Sequence, residues 1–157
     1  PNEEGYAGWT YCYNLPVFVR RVHDILAVIA WFQLFSPASK EIDVVGLNGA
    51  GPLVIAAVAQ AKDAVTRTAV NTEGFRFADL KDIYDIHFIP GAVKYDDLPG
   101  LLALTASVRT WIAGESQEAL PMVKAAFAAA GKPENLTIFS GASRDVVKRA
   151  VEWLLGE

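Results

Sequence analysis

The most informative segment for the fold of this chain is Val44-Val45-Gly46-Leu47-Asn48-Gly49-Ala50-Gly51-Pro52. A β-branched run stops at its first glycine, and its proline stands where the first turn of a helix tolerates that residue. The alanine-rich residues 53–61 favour a helix, and residues 64–71 form a second β-branched run. Strand, glycine turn, helix and strand in so short a segment predict a βαβ unit with two parallel strands.

Strand and helix patterns also alternate in the rest of the chain. A helix is predicted at 16–35, and residues 74–106 are read as irregular with one short helix at 77–84. The remaining predicted elements are strands at 108–113 and 136–139 and helices at 119–130 and 144–155. This alternation predicts an α/β fold, a three-layer α/β/α sandwich around a mainly parallel sheet of four to five strands. The fifth strand would lie at residues 6–13.

Length and composition narrow the class of protein. The chain has 157 residues, of which 52% are hydrophobic and 20% charged, so one domain with a substantial core is expected over residues 1–157. Fourteen basic and eighteen acidic residues give a net charge of −4. Because no basic stripe is present, we expect no nucleic-acid partner.

Membrane, metal and cofactor functions are not expected either. The longest apolar run, residues 26–35, is well short of the roughly 20 residues that a membrane span requires. That run is apolar on every side, which predicts a helix segment covered on most sides. One cysteine and two scattered histidines give no metal-ligand pattern, and no cofactor is expected.

The turn from Gly46 to Gly51 has two possible chemical uses. A glycine-rich strand-to-helix turn holds a pyrophosphate in dinucleotide-binding folds, and Glu73 follows the next strand, where a ribose-binding acid belongs. The same kind of turn forms the nucleophile elbow, G-x-S-x-G, which raises a serine above the sheet edge. Asn48 occupies the serine position, and asparagine tolerates the positive φ that the elbow imposes.

Two further motifs extend the comparison beyond the turn. The helix Arg21-Val22-His23-Asp24-Ile25-Leu26 precedes the elbow, and the loop Asp96-Asp97-Leu98-Pro99-Gly100-Leu101-Leu102-Ala103-Leu104 contains a D-L-x-x-L-x-A-L pattern. With these motifs the chain resembles the C-terminal half of an α/β-hydrolase, nearest to the acetyl xylan esterase and dienelactone hydrolase branch. The resemblance covers nearly the whole chain and implies an esterase-like domain without the N-terminal strands of the full fold.

The family's catalytic residues are not preserved at the matching positions. Asn48 stands at the nucleophile position, and Gly49 could offer one N–H of the oxyanion hole. The resemblance places the catalytic acid at Gln117, with Glu115 and Glu118 beside it. It places the catalytic histidine at residues 140–143, where the sequence has none.

The two histidines of the chain lie elsewhere. His23 is on the helix before the elbow, and His87 follows Asp85 in the irregular region. We interpret both as ordinary polar residues, with His87 the one candidate for a catalytic group from outside the expected position.

Three functions follow from these observations. The first is a degenerate or partial α/β-hydrolase domain without hydrolase activity, a pseudoenzyme. It would be a binding module for a small molecule or carbohydrate, a structural module, or a fragment of a larger protein. The second is a carboxylesterase or acetyl esterase whose missing groups come from elsewhere. The third is a nucleotide-binding α/β domain that uses the Gly46–Gly51 turn.

The truncated sheet also predicts an interaction. Without upstream strands the elbow strand would lie at an edge, and exposed strand edges pair with other chains. We therefore expect a homo-oligomer, or an edge covered by the aromatic N-terminal segment with Trp9, Tyr11 and Tyr13.

Overall fold

The structure, a computed structural model, describes residues 14–35 and 41–156. The predicted strand at 6–13 and the edge cover by the N-terminal aromatic residues lie outside these residues. Within them, one sheet contains four strands: β1 (Asp43–Gly46), β2 (Arg67–Asn71), β3 (Arg109–Ala113) and β4 (Leu136–Ile138). The strands lie in the order β1-β2-β3-β4, and every neighbouring pair is parallel. The predicted α/β class and the parallel sheet of four to five strands are confirmed.

Helices cover both faces of this sheet. They are α1 (Val17–Phe35), α2 (Gly51–Ala61), α3 (Asp97–Ala103), α4 (Pro121–Ala129) and α5 (Val146–Leu155). The first four pack side by side in chain order on one face, and α5 packs on β2 and β3 from the other. This arrangement is the predicted three-layer sandwich. No helix among the described residues is both long enough and apolar enough to cross a membrane.

The two faces of the strands bury different cores. Val70 and Ile112 point into the larger core beneath α1 to α4, and both are fully buried. Ala69 and Trp111 point to the opposite face, where they pack with α5. Because successive side chains of a strand alternate between faces, β2 and β3 contribute to both layers.

The register brings the ends of the strands to one edge. Gly46 pairs with Val70, Val70 with Ile112, and Ile112 with Ile138. The loops that follow the four strands therefore emerge together at the carboxyl edge of the sheet, which is where open α/β sheets bind ligands.

The prediction of an irregular loop at Asp96 to Leu104 is wrong. Helix α3 occupies most of that segment. Pro99 falls in its first turn, where no backbone N–H is needed, so it does not break the helix. Gly100 is required by packing, because a Cβ there would collide with the carbonyl oxygen of Tyr95. The short helix predicted at 77–84 is reduced to a 3₁₀ turn, Phe77–Asp79.

The prediction that the second half of α1 is covered on most sides is also wrong. Only Ile29 in that half is buried, and an outward stripe of large apolar side chains is exposed. The stripe consists of Val28, Trp31, Phe32 and Phe35. Helix α1 packs mainly on α2, at the β1 end of the helix row, so among the described residues the outer side of its second half has little to pack against.

Candidate functional site

The turn after β1 has the backbone of an elbow. Asn48 has a φ of 51° and Gly49 a φ of 83°, as the sequence predicts for a strained strand-to-helix turn. A Cβ on Gly46 would lie 2.8 Å from Cβ of Val54, and one on Gly51 would collide with the Asn71 carbonyl. Small residues are thus required because α2 crosses close to the ends of β1 and β2.

A cleft of about 890 Å³ opens at the carboxyl edge beside this turn. We call it the edge cleft. Its lining is polar: three amides, three carboxylates and three serine hydroxyls face it, with Phe139 as its main apolar side chain. These polar residues are Asn48, Asn71, Gln117, Glu73, Glu115, Glu118, Ser116, Ser140 and Ser143. The elbow residue and the acid-position candidates are therefore brought to one site.

Glu73 is bound to the elbow. Its Oε1 accepts a hydrogen bond of 3.2 Å from the Gly49 N–H and one of 3.5 Å from the Asn71 side-chain amide. Its own N–H donates to Oδ1 of Asn71 at 3.2 Å, and its φ is 53°. The backbone donor that follows the elbow residue is consequently occupied by a carboxylate of the protein itself.

Glu115 is held in a buried network rather than free for chemistry. Its side chain is 3% exposed and forms a two-pronged ion pair with Arg76, with N–O distances of 2.6 and 2.8 Å. The Thr72 hydroxyl donates a third hydrogen bond at 2.7 Å. The side-chain hydrogen bonds to Glu115 raise the pKa of Arg76. The network joins the loop after β2 to the loop after β3 and forms part of the cleft floor.

The other two acid-position candidates lie at the cleft surface. Gln117 and Glu118 belong to an exposed 3₁₀ turn, Gln117–Ala119, between β3 and α4. Both line the edge cleft, but among the described residues neither side chain has a recorded hydrogen bond or ion pair.

Neither histidine lines the edge cleft. The Nδ1 atom of His87 lies 3.2 Å from Oδ1 of Asp85, and its ring packs near Phe18 and Phe75 with centroid distances of 6.3 and 5.4 Å. His23 lies on α1 beside a separate small cavity between α1, α2 and α3. The described residues also contain no group of three or more His, Cys, Asp or Glu side chains placed to hold a metal ion.

Sequence reasoning missed Thr72 and Arg76. Neither belongs to a motif, and their role depends on Glu115, which is 43 and 39 residues away. The one available indication is the position of Glu115 two residues after a buried strand, where an acid needs a partner.

A scan against protein-family models gives no match, and searches of curated proteins and of solved structures give none either. The resemblance to α/β-hydrolases accordingly stays a prediction that rests on the motifs of the sequence.

Proposed function

We propose that this chain is an esterase-like α/β domain that binds a small ligand in the edge cleft and does not hydrolyse it. The observation that carries this proposal is the elbow itself. It has the strained backbone and small flanking residues of a nucleophile elbow, but it presents the amide of Asn48 to the cleft.

Each group that acyl transfer needs is absent from its place or engaged elsewhere. An amide does not act as an acyl-accepting nucleophile. No described histidine lines the cleft to serve as a base, and the Glu115 carboxylate is bound to Arg76. The Gly49 N–H, which would stabilise an oxyanion, donates to Glu73 instead. These observations favour binding over catalysis.

The test is treatment with a serine-directed fluorophosphonate, followed by an assay of hydrolysis of p-nitrophenyl acetate. We expect no labelling, and the same slow hydrolysis for the wild type and for Asn48→Ala. We also expect Asn48→Ser to gain no activity, because a serine there still lacks a base. Rapid labelling of Ser140 or Ser143 in the wild type, located by mass spectrometry, would overturn the proposal.

An esterase completed by another chain is the second candidate. It is favoured only by the preserved backbone of the elbow, and it predicts that the rate of ester hydrolysis per molecule rises with protein concentration. A rate of hydrolysis per molecule that does not change with protein concentration and stays near the uncatalysed rate in buffer argues against this candidate.

Nucleotide binding is the third candidate. The glycine turn at the start of α2 favours it, but the Glu73 carboxylate sits on a donor that a phosphate would use. A thermal shift with millimolar NAD or ATP tests it, and no shift would count against it.

We further propose that the chain forms a homodimer through β1. Among the described strands β1 is at one end of the sheet, and Val45 is 44% exposed. A two-fold related copy presents the same edge, so the two strands can pair antiparallel. The charge of Asp43 does not oppose this pairing, because Arg67 binds it at 2.7 Å.

A further inference from the structure

We propose that Glu73 sets the class of ligand that the edge cleft accepts, namely a molecule that donates hydrogen bonds and carries no negative charge. This inference rests on the proposed binding role of the cleft, and it adds the chemistry of the ligand and the residue that selects it.

The backbone donor that follows the elbow residue is already occupied. An N–H at the start of a helix attracts anions, since the helix dipole places partial positive charge there. The Gly49 N–H stands just before α2 and donates to Oε1 of Glu73 at 3.2 Å. A phosphate or carboxylate ligand would have to displace this internal carboxylate before it could use the donor.

The lining of the edge cleft carries negative charge. Glu73 and Glu118 face the cleft, and no lysine or arginine of the described residues lines it. The third carboxylate, Glu115, is neutralised by Arg76 below the surface. An anionic ligand therefore meets two negative charges and no compensating cation, whereas an ammonium or hydroxyl group meets acceptors.

The edge cleft is also lined by many hydrogen-bond acceptors. Carboxylates accept only, and amide and hydroxyl groups accept as well as donate. The carbonyl oxygens of Asn48 and Gln117 and the hydroxyls of Ser140 and Ser143 add acceptors around the two glutamates. This inventory fits a ligand rich in O–H or N–H groups.

The experiment follows backbone amide resonances of the ¹⁵N-labelled full chain in two titrations at constant ionic strength. In the first, inorganic phosphate is added to the wild type, Glu73→Ala and Glu118→Ala. We expect the Gly49 amide to respond saturably only in Glu73→Ala, with phosphate bound about tenfold tighter than by the wild type. Glu118→Ala is the matched control, because it removes the same charge from the same cleft without freeing the Gly49 N–H.

In the second titration, ethylammonium chloride is added to the wild type with sodium chloride as the reference. We expect saturable shifts at Asn48 and Gln117, weakened in Glu73→Ala. Three results would overturn the inference: equal phosphate binding by the wild type and Glu73→Ala, an equal gain in Glu118→Ala, or no response to ethylammonium. None of these readings depends on ester hydrolysis, so the inference can fail while the non-hydrolytic proposal stands, and the reverse also holds.

Discussion

At the scale of single residues, the decisive feature is how the acidic side chains around the cleft are used. Glu73 binds the elbow, Glu115 binds Arg76, and Glu118 is exposed and forms no ion pair with another described residue. Three carboxylates at one sheet edge thus have three different environments. The difference comes from the partners that tertiary packing supplies, since all three side chains have the same chemistry.

The buried ion pair gives a prediction on stability. Glu115→Ala removes the partner of Arg76, whose side chain is only 24% exposed, and takes one of two acceptors from the Thr72 hydroxyl. Breaking such a pair from one side leaves an uncompensated charge, so we expect a loss of about 3 kcal/mol in the free energy of unfolding. Urea denaturation followed by circular dichroism measures it.

The control for this prediction is Glu118→Ala, three residues further along and exposed. We expect it to change the free energy of unfolding by less than about 0.5 kcal/mol. Equal effects of the two substitutions would show that the Glu115–Arg76 pair contributes no more than a surface charge.

At the scale of elements, helix α3 shows how a segment with helix-breaking residues becomes helical. The Asp97 side chain accepts hydrogen bonds from the N–H groups of Phe77 and Ala78 at 2.8 and 2.9 Å, and from its neighbour Leu98 at 2.6 Å. One carboxylate thus fastens the start of α3 to the 3₁₀ turn at Phe77–Asp79. The carboxylate and the N–H groups that it binds come from two separate segments of the chain. Their hydrogen bonds hold the 3₁₀ turn in place, with Phe77 in the larger core.

We therefore predict that Asp97→Ala lowers the free energy of unfolding by about 2 kcal/mol, because it leaves the N–H of buried Phe77 without an acceptor. Asp96→Ala is the matched control. Asp96 is adjacent, also has a positive φ, and is exposed. Thermal unfolding of both variants tests the difference, and a smaller effect for Asp97→Ala than for Asp96→Ala would contradict the assigned role.

At the scale of the whole molecule, one end of the sheet is uncovered by the described residues, and we call it the open end. Strand β1 is at the edge of the sheet, and helix α1 lies at the same end of the helix row with its apolar stripe exposed. The remainder of the sheet is covered by helices on the α1-to-α4 face and, over β2 and β3, by α5 on the other. The open end is therefore the part of the described surface best suited to pairing with another chain.

The proposed homodimer through β1 can be tested by its sedimentation in solution. We expect sedimentation velocity at tens of micromolar to give a dimer for the wild type and a monomer for Val45→Lys, since an edge lysine opposes strand pairing. Val147→Lys is the control, because Val147 is 52% exposed on α5, which packs on β2 and β3. A monomeric wild type, or a dimer that survives Val45→Lys, contradicts pairing through this edge.

Sequence patterns alone predict the order of strands and helices along the chain and the backbone of the elbow. These features depend on residues close together in the chain: β-branched runs, alanine-rich helices, and the small residues around Asn48 that permit a positive φ. The same local rules are wrong at α3, because Pro99 and Gly100 are residues typical of loops. In the folded chain the Tyr95 carbonyl packs against Gly100, so the glycine belongs to the helix.

The hydrogen bonds within the site depend on contacts that form only in the folded sheet. Glu73 reaches Gly49 across 24 residues and Glu115 reaches Arg76 across 39, because the parallel register brings the strand ends to one edge. Local sequence patterns contain no record of such distant contacts. Each carboxylate binds the donors that the neighbouring strand ends bring next to it. The positions of those strand ends depend on how the whole sheet packs, so they cannot be found from residues that are close in the chain.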